Sequence, residues 1–72
     1  MKADRDNTMI DNITESIIKR NGTSALNKKQ ASKELNIGVT KLDELRRNGE
    51  VRFTMIGGQV RINAYTIAEM IA

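Results

Sequence analysis

The chain has 72 residues, twelve Lys and Arg against nine Asp and Glu, and no His, Cys, Trp or Pro. One small domain is the most this length holds, and without His or Cys there are no usual zinc ligands, no imidazole base, no thiolate nucleophile and no disulfide framework. A domain this small rarely shapes a substrate pocket, so the composition points away from an enzyme, a cofactor or a metal centre and toward binding, with the net charge of +3 favouring an anionic partner.

Residues 1–7 are polar and aperiodic, which predicts a flexible N-terminal arm ahead of a single domain over residues 8–72. No signal-peptide pattern follows, and no apolar run approaches the roughly 20 residues that span a bilayer. The expected location is the cytoplasm, with no membrane partner. Over residues 8–20 the apolar positions Met9, Ile10, Ile13, Ile17 and Ile18 fall on one helical stripe. Asn7 or Thr8 can cap this helix, Lys19 and Arg20 suit its negative end, and Asn21 with Gly22 stops it. The stripe is expected to cover the core of the domain; an oligomerisation surface is the competing reading.

A short linker over residues 23–25 leads to a helix start signal. Asn27 caps, Gln30 is its reciprocal partner and Leu26 staples onto Ala31, which predicts a helix over residues 28–35. Asn36, Ile37 and Gly38 make a turn. A third helix over residues 39–48 then buries Leu42 and Leu45, and Gly49 ends it.

Beyond Gly49 the apolar period falls to two. With Gly57 and Gly58 as a two-residue turn, Ile56 pairs with Gln59, Met55 with Val60, Thr54 with Arg61 and Phe53 with Ile62. One hairpin face is then wholly apolar (Phe53, Met55, Val60, Ile62), and the other carries Thr54, Ile56, Gln59 and Arg61. Asn63 caps a last helix over residues 64–71, with Ile67, Met70 and Ile71 inward. Pieces this short need one shared core, expected at Leu35, Ile37, Leu42, Leu45, Val51, Phe53, Met55, Val60, Ile62 and Ile67. The order predicts a mainly α fold with a small β-hairpin, a winged helix-turn-helix.

Several of these residues recur together at telling spacings. They are Asn27, Ala31 and Leu35 in the first helix of the pair, the turn at residues 36–38, and Arg47, Asn48, Gly49 and Val51 after the second. The wing adds Gly57, Gly58, Gln59, Val60, Arg61 and Ile62. As a set, over residues 26–71, they resemble the excisionase family of small DNA-binding proteins, whose fold is related to the DNA-binding domains of mercury-resistance-type regulators. The resemblance implies binding of double-stranded DNA at repeated sites near an attachment site, with bending of the DNA and cooperative self-association on it. It also implies an integrase partner, a tyrosine or serine recombinase, which does the chemistry of excising a mobile element. A small transcriptional regulator or a plasmid or phage maintenance protein is the alternative with the same domain. A protein adaptor that uses the fold without DNA is a third reading, and the charge disfavours it: residues 26–62 hold eight basic and four acidic residues, whereas residues 1–25 hold four of each.

A helix-turn-helix lays its second helix in the major groove with the N-terminal residues nearest the bases. Here those are Gly38, Val39, Thr40 and Lys41. Thr40 can offer a hydroxyl and a methyl group, and Lys41 can reach guanine or phosphate. Glu44 can accept from a cytosine amino group, though its spacing favours a surface pair with Arg46 or Arg47. Arg46 and Arg47 are candidate phosphate contacts or simple complements of the helix dipole. Gly38 admits a close backbone approach or is an ordinary turn glycine. Lys28 and Lys29 sit against the dipole at the start of their helix, a placement that a phosphate would explain. On the wing the candidates are Arg61 first and Arg52 second, with Thr54 and Gln59 beside them on the non-core face.

Overall fold

Helix α1 runs from Lys2 to Asn21 in the computed structural model, which describes the backbone of residues 2–72 and the side chains of residues 8–72. Met1 lies outside the described residues. The helix starts well before the first apolar residue, so Asn7 and Thr8 lie inside it rather than at its cap. The physical reason is local: residues 2–7 contain no Gly, Pro or β-branched residue to stop a helix. Periodicity overlooks this extension because its residues carry no apolar stripe.

The remaining elements follow in order: β1 (Ala25–Leu26), α2 (Lys28–Leu35), α3 (Val39–Arg47), β2 (Thr54–Ile56), β3 (Gln59–Asn63) and α4 (Ala64–Ile71). Among the described residues there are thus four helices and one antiparallel sheet of three short strands, ordered β1–β3–β2.

The capping box at α2 closes in both directions. Asn27 Oδ1 accepts from the Gln30 N–H at 2.7 Å, and Gln30 Oε1 accepts from the Asn27 N–H at 3.0 Å. At the other end Asn36 turns left-handed, with φ 58°. There the Ile37 and Asn36 N–H groups donate to the carbonyls of Ser32 and Lys33, the Schellman arrangement. The same pair of bonds ends α3, from Glu50 to Leu45 and from Gly49 to Arg46. Between the helices the chain spends only residues 36–38. Asn63 caps α4 by accepting from the Tyr65 N–H at 2.7 Å.

The hairpin register is the expected one: Thr54 opposite Arg61, Met55 opposite Val60 and Ile56 opposite Gln59. Gly57 and Gly58 both take positive φ, 58° and 77°, the conformation a two-residue hairpin turn demands. The fourth expected pair, Phe53 with Ile62, is not part of the ladder, because β2 begins at Thr54. On the other edge of β3, Ile62 lies opposite Leu26 and Asn63 opposite Ala25, so Ala25, expected as linker, and Leu26, expected as the staple ahead of α2, form β1 and make β3 the central strand.

Helix α4 is the hub, packed against α1, α2 and β3. Ile17, Leu26, Leu42, Ile62 and Ile67 are the largest fully buried side chains, each contributing about 1.5–3 kcal/mol of burial. Leu35, Ile37, Leu45, Phe53 and Val60 pack partly against that cluster. Met55 does not belong to it. It is 63% exposed, because β2 is the edge strand and packs mainly against β3, leaving the end of the hairpin beyond the reach of the helices.

Candidate nucleic-acid interface

Helix α3 presents one stripe inward and another outward. Leu42 is fully buried, and the residues opposite it on the helical wheel are Thr40, Glu44 and Arg47, at i, i+4 and i+7. All three are exposed, as are Gly38, Val39 and Lys41 at the tip. Gly38 is the N-cap and supplies no side-chain hydrogen bond, so the amides of the first turn have no side-chain partner and face outward at the positive end of the helix dipole. The fold does not require glycine there. Its φ is −78°, and a Cβ would meet nothing within 4 Å.

Three of the expected cations, Lys28, Arg46 and (on the wing) Arg61, are engaged within the molecule. Lys28 Nζ lies 3.1 Å from Asp43 Oδ1, tying the start of α2 to α3. That pair accounts for a lysine placed against the helix dipole without invoking a phosphate. Arg46 lies on the Leu42 side of α3, and its guanidinium sits 5.2 Å from the centroid of the Phe53 ring, a cation–π contact that joins the end of α3 to the chain entering the wing. Glu44 makes no ion pair with Arg46 or Arg47 among the described residues; the surface pair that helical spacing favoured does not form.

Lys29, Lys41, Arg47 and Arg52 are exposed and make no ion pair among the described residues. On the wing, Arg61 stands directly across from Thr54. Its guanidinium donates to Gln59 Oε1 at 2.6 Å and to the Val60 carbonyl at 3.4 Å. The structure therefore gathers Thr54, Gln59 and Arg61 on one face of the hairpin, and Thr40, Lys41, Glu44 and Arg47 on α3. The two groups are joined through Arg46 and Phe53.

One charge cluster was missed in the sequence. Glu34 on α2 accepts two hydrogen bonds from Arg20 on α1, at 2.7 and 3.0 Å, and a third from Asn21 Nδ2 at 2.9 Å. The hydrogen bonds from Arg20, then that from Asn21 and the positive charges of Arg20 and Lys33, hold the Glu34 carboxyl below its ordinary value, against the opposing effect of its burial. The Arg20 guanidinium is shifted upward by the same contact. No pattern at fixed spacing announces a pair that joins two helices.

An open cleft of about 300 Å³ between α1 and α4 is lined by Met9, Ile10, Glu69 and Ala72. It holds one titratable group and lies apart from the cations described above. No helix among the described residues is long and apolar enough to cross a membrane. No family model matches the chain, and no curated protein or solved structure matches it either.

Proposed function

We propose that the chain is a winged helix-turn-helix protein that binds double-stranded DNA, with α2 and α3 as the helix pair and the β2–β3 hairpin as the wing. The observation that carries this reading is the disposition of charge in residues 26–62. Of the eight cations there, only Lys28 is ion-paired among the described residues, while Glu34 is neutralised from outside the segment by Arg20. The exposed surface is thus more basic than a net charge of +3 suggests, and a polyanion is the partner that complements it.

In this reading the tip of α3 enters the major groove. Thr40 and Lys41 meet base edges, the first-turn amides after Gly38, which have no side-chain cap, approach a phosphate, and Glu44, unpaired among the described residues, accepts from a cytosine amino group. Lys29, Arg47, Arg52 and Arg61 contact phosphates, with Thr54 and Gln59 alongside on the wing. Lys28 and Arg46 support this surface by holding α2, α3 and the wing together. A single module buries about 600–1,000 Å² on DNA, so tight specific binding calls for several copies side by side or for a partner. That requirement agrees with the resemblance to excisionases: an accessory protein that shapes attachment-site DNA while an integrase cuts and rejoins it.

Fluorescence anisotropy with a mixed-sequence duplex tests the reading. For four cations on phosphates, raising salt from about 50 to 200 mM should weaken binding roughly 150-fold. Lys41→Ala and Arg61→Ala should each weaken it, and Arg61→Ala, which removes a phosphate contact, should lower the salt slope by about one. Absent or salt-independent binding refutes the DNA reading. Full affinity in both variants refutes the site.

A further inference from the structure

The end of the hairpin exposes an apolar side chain on each face, with Gln59 beside one of them. Met55 is 63% exposed and Ile56 53% exposed, and as neighbours on a strand they project to opposite faces of the ribbon. Gly57 and Gly58, next in the chain, add no side chains, and open space surrounds the positions their Cβ atoms would take. The result is a thin hydrocarbon blade. β2 carries neither the charge nor the proline with which exposed edge strands are usually protected from pairing.

Behind the blade the chemistry changes to hydrogen-bonding and cationic. Ile56 faces Gln59, and two residues further from the turn Thr54 faces Arg61. Rungs two residues apart lie about 6.7 Å from each other, close to the depth of about 7.5 Å of the B-DNA minor groove. With the tip at the floor of such a groove, the Arg61 backbone stands at its rim, and the guanidinium, which donates to Gln59 in the free protein, has only to swing away from Gln59 to meet a phosphate. Apolar side chains at the tip with the Arg61 cation behind them complement a partner whose interior is stacked bases and whose edge is phosphate.

We infer that the wing tip is a minor-groove wedge: Ile56 enters between two base pairs at a flexible step, Met55 fills the space beside it, and Arg61 and Arg52 hold the flanking phosphates. This inference rests on the DNA-binding reading above and adds to it a source of bending, because aliphatic side chains that unstack a step kink the duplex. The two residue types suit the task. Ile56 is stiff at χ1 and loses little freedom on insertion, while the unbranched Met55 adapts to an irregular gap.

The test uses the full chain and a duplex of about 30 base pairs with a central TpA step, one of the easily unstacked steps. The duplex carries a fluorescent adenine analogue at that step and a donor–acceptor dye pair at its ends. Saturating protein should raise the analogue's fluorescence and bring the ends closer. Ile56→Thr keeps a β-branched residue at an exposed position, so the fold is retained. It should bind within about fivefold of the parent, since phosphates supply most of the affinity, yet lose most of both signals. Arg61→Gln should weaken binding about tenfold and, at saturation, still unstack the step. Binding of the parent with neither signal overturns the wedge and leaves the DNA reading standing; no binding at low salt overturns both. Sedimentation without DNA provides the last arm. If the parent self-associates, Ile56→Thr abolishes this and the bend is unchanged, the blade belongs to a protein contact and the wedge is wrong.

Discussion

Glu34, Lys28 and Gly38 show how single residues divide between holding the fold and facing outward. The three hydrogen bonds on Glu34 make its carboxyl more acidic in the folded chain than in the unfolded one. A lowered folded-state value stabilises at pH above the ordinary carboxylate range, and that contribution disappears as pH falls through the folded-state value. The melting temperature should therefore drop on acidification, and Glu34→Gln should flatten that drop. An identical acid slope in the two proteins would remove Glu34 from the account. Gly38 gives the opposite kind of prediction. Because φ is ordinary and the Cβ position is open, Gly38→Ala should change stability by no more than about 0.5 kcal/mol. If α3 approaches DNA through that amide, binding should nonetheless weaken, which anisotropy on the variant would reveal. Lys28, paired with Asp43, should matter less to the salt slope than Lys29.

Among the elements, α1 is decided by its contacts. Its apolar stripe was compatible with either a core cover or an oligomer surface. Ile17 is fully buried in the core cluster, the helix packs on α4, and Arg20 and Asn21 tie it to α2 through Glu34. Ile17→Ala should cost about 3 kcal/mol, a fall in melting temperature of about 15–20 °C at this chain length. A far smaller loss, read by circular dichroism, would make α1 an appendage. The α2 cap gives a milder case. Asn27→Ala removes the acceptor for the Gln30 amide and should cost about 1 kcal/mol. The hairpin shows where local pattern stops being informative. Its register follows from Gly57, Gly58 and alternation, yet alternation also assigns Met55 to the core. Whether an apolar residue on the inward face is covered depends on how far the neighbouring helices reach, and they do not reach Met55.

At the scale of the whole molecule the electrostatics matter most. The near-neutral N-terminal helix contributes Arg20 to Glu34 and so leaves the middle of the chain with few acids to offset its cations. Charge arithmetic along the sequence detects the excess but not this withdrawal, since the pair closes between two helices. The same holds for β1. Two residues carry no period, and Ala25 and Leu26 become a strand only because β3 lies beside them with its second edge open.

Legible before folding was what nearest neighbours can decide: the extents of α2 and α4, the start of α3, the Asn27–Gln30 cap, a turn at residues 36–38, and the pairing of Thr54, Met55 and Ile56 across two glycines. These depend on backbone hydrogen bonds and φ preferences within a few residues, so they can be read before the chain is folded. Tertiary structure alone decided which apolar residues are covered, which carboxylate meets which cation, and that Lys28 and Arg46 find partners within the chain while Lys29, Lys41, Arg47 and Arg52 make no ion pair among the described residues. Those outcomes depend on distances between segments remote in sequence, where burial and charge pairing are properties of the assembled core rather than of any spacing along the chain.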